Sequence, residues 1–219
     1  GRGHLRNQPR FLMIHLSMPV SDLFGAGTCG KYLLREFAAR GEVSYDPGAS
    51  ELWVEDADYP LVKKNLKLLC ADVNGPLIQF TGPALNQQTK WRGNPNVGYV
   101  FSEWEPLTAA QRGNLKAFDA LAAGSEWNAR VIRDAGFECA SVPQGVDRTI
   151  FKPMPRIALK DKFVIYSGGK WERRKAQDLI VRAVKILQDR HDDILLLASW
   201  FHIWENADHY DEARADGVK

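Results

Sequence analysis

Along the chain, short runs of consecutive apolar residues alternate with longer stretches in which apolar side chains recur every three or four positions. The first spacing belongs to buried strands and the second to helices with one apolar face, so the pattern predicts an α/β protein built on parallel sheet. Phe11 to Leu16 reads as the first strand, Lys31 to Arg40 as the helix after it, closed by Gly41, and Glu42 to Tyr45 as a second strand. Pro60, favoured at a first helical position, opens a helix expected to run from Leu61 to Cys70. Leu77 to Phe80 and Val97 to Phe101 predict two further strands. Thr108 and Gln111 have the spacing of a capping box, which starts a helix through Leu115. Ser125 caps another that carries Trp127, Val131 and Ile132 on its apolar side and stops at Gly136. Cys139 to Val142 reads as the last strand of this half.

Pro143, Pro153 and Pro155 then interrupt any continuous helix or central strand, and a linker is expected there, dividing the chain into residues 1–155 and 156–219. The pattern restarts with a strand over Phe163 to Ser167, a Gly168-Gly169 turn, a helix from Ala176 to Arg190 and a buried strand over Ile194 to Ala198. Two strands are fewer than a sheet of usual size contains, so the second domain is expected to be incomplete.

Composition narrows the function classes. Lys and Arg number 29 against 27 Asp and Glu, a formal charge of +2. That is too even for a protein that grips nucleic acid through its phosphates. Three widely separated cysteines, Cys29, Cys70 and Cys139, form neither a disulfide framework nor a metal-ligand cluster, which fits a reducing cytoplasm. No apolar run has the length of a membrane span or a signal sequence. Lys63, Lys64 and Lys67 interleave with Leu61, Leu66, Leu68 and Leu69, a pattern that suits either a half-buried helix with a solvated edge or peripheral contact with anionic lipid. The chain opens on Gly1, and its natural start is expected upstream.

Two segments carry candidate chemistry. Gly25-Ala26-Gly27-Thr28-Cys29-Gly30 has the G-x-G-x-x-G form of a dinucleotide loop, with Asp46 after the next strand as a ribose acceptor. Residues 17–24 separate it from the strand, however, whereas a dinucleotide fingerprint places its first glycine at the strand end. The glycines are thus open to three readings: a nicotinamide site, a loop facing an anionic or sugar ligand, or close packing of helix on strand. The second segment is Gly168 to Lys175, where Lys170, Arg173, Arg174 and Lys175 crowd the start of a helix. Cations conflict with the positive end of a helix dipole, so their presence suggests a bound anion, the alternative being a solvated basic turn. The histidines have no metal-ligand spacing. His202 is the one expected at the C-terminal end of a strand, where open α/β sheets bind ligands.

Val142-Pro143-Gln144-Gly145-Val146-Asp147, followed by Phe151 and Pro153, resembles the interdomain crossing of family 4 glycosyltransferases. Ser167-Gly168-Gly169-Lys170 with Arg174-Lys175 resembles that family's basic loop. Gly124 to Asn128 with Arg130 to Gly136 resembles one of its helices. The likeness runs in order from about Phe11 to His202. It implies a GT-B architecture, two Rossmann-like domains of which the second is incomplete here. The nucleotide-diphosphate sugar would be held by the second domain and the acceptor, whether saccharide, lipid-linked sugar or protein, by the first. Gly169, Lys170 and Lys175 would then meet the donor diphosphate, and Gly25, Gly27 and Gly30 would lie near it and the acceptor. Transfer would proceed with retention of configuration and without a cofactor or metal ion, basic side chains neutralising the leaving diphosphate.

Two departures accompany the resemblance. Glu205 and Glu212, with six residues between them, are one short of the spacing of the family's acidic pair, so this chain by itself is expected to be inactive. Where many members carry a histidine after the strand ending at Phe101, this chain has Ser102 and Glu103, which makes Glu103 the candidate catalytic residue. The rival readings are a non-catalytic nucleotide-sugar-binding protein, a nicotinamide-dependent oxidoreductase and a purely structural domain.

Overall fold

A computed structural model describes residues 13–48, 52–172 and 175–201. The chain divides into two compact units, Gly1–Val146 and Asp147–Lys219. In the first unit the elements run β1 (Ile14–Ser17), α1 (Gly25–Arg40), β2 (Val43–Asp46), α2 (Tyr59–Asn65), β3 (Leu77–Thr81), β4 (Asn96–Val100), α3 (Ala109–Leu115), β5 (Ala120–Ala123), α4 (Glu126–Asp134) and β6 (Ala140–Ser141). The strands form one six-stranded sheet in the order β2-β1-β3-β4-β5-β6, and every pair is parallel. This is an α/β sheet of Rossmann-like character.

The two faces of the sheet differ in chemistry. Leu16 and Tyr45, from β1 and β2, pack with Leu34 of α1 and Val62 of α2, and with Tyr99 of β4, in one apolar cluster. On the opposite face, Val100, Leu121 and Ala123 pack with Leu115 of α3 and with Ala129, Val131 and Ile132 of α4. Toward β1 and β2 that second face turns polar. His15, Ser17, Ser44, Asp46, Gln79 and Asn96 are all buried, and the parallel register sets Ser17 beside both Asp46 and Gln79. Gln79 binds its neighbours completely: its Nε2 donates to Asn96 Oδ1 at 2.8 Å, and its Oε1 accepts the Gln88 and Thr89 N–H groups. Those bonds lay residues 82–95, which form no helix, against the sheet.

His15 donates to or accepts from Ser44 Oγ through Nδ1 at 2.6 Å. Burial, with a smaller contribution from the nearby Lys67 charge, lowers its pKa below the ordinary 6.5. The unfolded chain then takes up a proton on this ring before the folded one does. Stability is complete above pH 6.5 and falls as the pH drops through the folded value, each unit of depression being worth about 1.4 kcal/mol. In urea titrations at pH 7.5 and 5, His15→Asn is expected to flatten this decline. A decline of unchanged size would mean that other groups cause it.

Several elements differ from the sequence expectation. Helix α1 starts at Gly25, six residues before Lys31, so Gly25, Gly27 and Gly30 are helical residues rather than a loop. Helix α2 stops at Asn65, not Cys70. Leu66 is extended there, bridges to Tyr45, and is followed by Lys67, whose N–H donates to the Tyr45 carbonyl; the open edge of β2 captures the chain. Strand β5 has no sequence signal, because Ala120-Leu121-Ala122-Ala123 lacks the β-branched and aromatic residues of a typical strand. The capping box at Thr108 and the Ser125 cap both form as expected.

The second unit contains β7 (Phe163–Lys170), α5 (Gln177–Gln188) and β8 (Ile194–Phe201), with β7 and β8 parallel over eight residue pairs. Gly168 and Gly169 are not a turn: they pair with Ser199 and Trp200 and carry β7 on to Lys170. Phe163, Tyr166, Leu179 and Ile186 are exposed, as expected of a two-stranded sheet with one helix.

Candidate functional site

The strand order of the first unit reverses between β1 and β3, and open parallel sheets bind ligands in the crevice beyond the C-terminal strand ends at such a point. The chain beyond β1 folds back tightly on α1. A methyl group on Gly30 would stand 2.0 Å from the Pro19 carbonyl oxygen, and one on Gly27 would stand 2.4 Å from Ser21 Cβ, while Gly25 faces open space among the described residues. The glycines at 27 and 30 therefore serve close packing.

A charged cluster fixes the same turn. Lys31 Nζ pairs with Asp22 Oδ1 and, at 3.0 Å, with Asp58 Oδ2, its side chain only 10% exposed. Asp22 Oδ2 accepts the Glu55 N–H at 2.9 Å, tying in residues 52–58. Burial alone would lower the Lys31 pKa, but the bonds to Asp22 and Asp58 more than reverse this and raise it above 10.5. For Asp22, burial is likewise outweighed: the Lys31 and Glu55 hydrogen bonds bring its carboxyl below 3.8.

Beyond β4 and β5 a second set of bonds joins the strand ends. Asn128 Oδ1 accepts the Ser102 N–H at 2.5 Å, and Ser125 Oγ accepts the Asn128 N–H at 3.2 Å. Ser102 Oγ donates to the Trp104 carbonyl at 2.9 Å. Glu103 is exposed between these residues, just past the end of β4.

In the second unit Lys170 ends β7 and Lys175 lies exposed before α5. Lys170 Nζ pairs with Glu172 Oε1 at 2.8 Å, and the Lys170 carbonyl accepts from Gln177 Nε2 at 2.8 Å. Helix α5 begins at a left-handed Ala176, which supplies no side-chain cap. Trp171 and Trp200 meet edge to face at 5.0 Å, and Trp200 Nε1 donates to Ser167 Oγ. Gly169, Lys170 and Lys175 thus gather at one end of the β7–β8 pair. His202, Arg173 and Arg174 lie outside the described residues.

The structure thus places Gly25, Gly27, Gly30 and Glu103 beyond C-terminal strand ends of the first unit, and Gly169, Lys170 and Lys175 at the strand end of the second. Asp46 is already engaged: its two oxygens accept the Gly48 and Leu69 N–H groups, each at 2.8 Å. Sequence reasoning missed the bridging role of Asn128 and the hold of Gln79 on residues 88 and 89, since bonds between residues distant in the chain leave no local pattern. Among the described residues no three His, Cys, Asp or Glu side chains are grouped to hold a metal ion, and no helix is long and apolar enough to cross a membrane. No protein-family model matches this chain, and no curated protein matches it.

Proposed function

We propose that this chain is part of a GT-B glycosyltransferase that moves a sugar from a nucleotide-diphosphate donor to an acceptor with retention of configuration. The observation that carries the reading is the end of β7. A strand finishing in Lys170 is followed by exposed Lys175 and by a helix start without a side-chain cap. Backbone N–H groups and lysines there suit a diphosphate, for which Lys170 would exchange its Glu172 partner. Gly169, lacking a side chain, leaves the backbone open to close approach. Glu103, exposed beyond β4, is assigned to the reacting sugar, and the acceptor to the first unit. Exposed Lys63, Lys64 and Lys67 beside Leu66 and Leu68 offer a basic, partly apolar edge for anionic lipid, suited to a lipid-linked acceptor.

A nicotinamide reading has less support, because Asp46 is bound to backbone and Gly27 and Gly30 are filled against by residues 19–21. Calorimetry with UDP, GDP and NAD tests the choice, and binding of NAD alone would reject the transferase. Because Lys175 is exposed, its interaction with a diphosphate belongs at the weaker end of charge-assisted bonds, about 1.5 kcal/mol, so Lys175→Ala should weaken nucleotide binding roughly tenfold. A change below about twofold, ~0.4 kcal/mol, removes the diphosphate role.

A further inference from the structure

Helix α2 ends where the open edge of β2 takes the chain, and backbone bonds hold the next residues in an extended form. Leu66 bridges to Tyr45, the Lys67 N–H donates to the Tyr45 carbonyl at 2.8 Å, and the Leu69 N–H donates to Asp46 Oδ2 at 2.8 Å. Residues 66–69 are thereby fixed as a ridge along the edge of the sheet. What the ridge displays is apolar. Leu68 is 67% exposed and Leu66 44%, and alternation in an extended segment sets the two on one side. A sheet edge that faces water alone is usually blunted with charge or proline, and these two positions carry neither.

The charge around the ridge has one sign. Residues 59–71 contain Lys63, Lys64 and Lys67 and no acidic residue. All three lysines are exposed, and none meets an acid among the described residues, whereas Lys31 and Lys170 are paired with carboxylates. The nearest acids in the chain are set apart or engaged. Glu55, Asp56 and Asp58 precede the other end of α2, Asp46 accepts two backbone N–H groups, and Asp72 accepts the Arg92 N–H. A nucleic acid would satisfy the lysines and leave the leucines in water. An anionic bilayer satisfies both, since its headgroups take the cations and its acyl boundary takes the apolar side chains.

We propose that the end of α2 and the ridge from Leu66 to Leu69 dock this chain on a bilayer of anionic lipid. Leu66 and Leu68 sink into the boundary between headgroups and acyl chains, and Lys63, Lys64 and Lys67 lie among the headgroups. This deepens the transferase reading above, on which its meaning for the acceptor rests: an acceptor with a lipid tail is met in the membrane plane and not in solution. Because the ridge is held by backbone bonds to β2, it is already formed before the membrane is reached, and no folding on binding is needed.

Cys70, exposed at the end of the ridge, provides a local reporter, Cys29 being half-buried and Cys139 buried. An environment-sensitive dye is attached to it in the whole chain, its position verified by peptide mass spectrometry, and vesicles of phosphatidylcholine alone or mixed with phosphatidylglycerol are added. The dye should shift to the blue, and the chain should float with the vesicles, only when phosphatidylglycerol is present; added salt should weaken both. Removing Lys63 and Lys64 together (each Lys→Gln) should weaken binding roughly twenty- to thirtyfold, at about fivefold per lysine. Leu68→Ser should weaken it several-fold. The melting temperature should stay constant in these variants, because the side chains are exposed. Lys116→Gln, on the exposed end of α3, removes the same charge away from the ridge and should leave binding nearly unchanged. No binding that depends on phosphatidylglycerol, or binding that Leu68→Ser leaves intact, overturns the proposal. UDP and GDP binding is measured separately, without vesicles. Nucleotide binding without docking refutes this surface and leaves the transferase standing, while docking without nucleotide binding does the reverse.

Discussion

Replacing Lys31 by alanine is expected to remove about 3–5 kcal/mol of stability, the usual cost of breaking a buried ion pair from one side. Lys31 is the common partner of Asp22 and Asp58, whose side chains are 24% and 16% exposed. Without it two carboxylates face one another in a poorly hydrated place. Arg35, 4.0 Å from Asp58, compensates only in part. The ammonium also lies 5.4 Å from the centre of the Tyr32 ring, and alanine forgoes that cation–π attraction as well. Urea denaturation at pH 7 should show a lower midpoint with an unchanged slope, and a loss under about 1 kcal/mol would class the pair with ordinary surface bridges. Acid provides a second signature. In the wild type Asp22 has a lowered pKa, so its contribution is present above pH 3.8 and lost as the pH falls through the folded value. Without Lys31 that contribution is missing, so the gap between the two proteins should narrow as the pH falls below 3.8.

A methyl group at position 30 should also be damaging, although alanine is the better helix former. At an open helical position Gly→Ala gains up to about 1 kcal/mol. At Gly30 the new carbon would stand 2.0 Å from the Pro19 carbonyl oxygen and 3.3 Å from the Met18 side chain, and a backbone atom cannot swing aside as a side-chain tip can. Overpacking of this kind typically costs about 1–3 kcal/mol and sometimes more, and here it displaces the turn that Lys31 holds. Gly30→Ala is therefore expected to lower stability by about 2 kcal/mol, while Gly25→Ala, entering open space, stays within about 0.5 kcal/mol of wild type. Thermal melts of the two variants settle the point. Equal behaviour at 25 and 30 would return these glycines to the role of a flexible ligand loop.

These glycines mark the boundary between what is legible in a sequence and what is not. Local rules found the strands at Leu77 and Val97, the Thr108 and Ser125 caps, and the alternation that makes an α/β protein, because each is set by residues within a few positions of one another. The same rules read Gly25 to Gly30 as a loop and Gly168-Gly169 as a turn, since glycine is a poor helix and strand former on its own. Pro19 and Ser21 packed against the first group, and β8 paired with the second, overrode that preference. The end of α2 at Asn65 and the Ala-rich β5 were likewise decided by an available strand edge.

The candidate chemistry divides in the same way. The basic segment from Lys170 to Lys175 is visible in the sequence because four of its six residues are cations. The Gln79 bonds to Gln88 and Thr89 and the Asn128 bridge to Ser102 are invisible there, because each depends on residues 9 to 26 positions apart meeting at the sheet. Sequence alone thus determined the class of fold and the charge of one strand end. Only the tertiary structure decided which glycines are packed and which carboxylates are occupied, since burial and long-range pairing exist only once the sheet has formed.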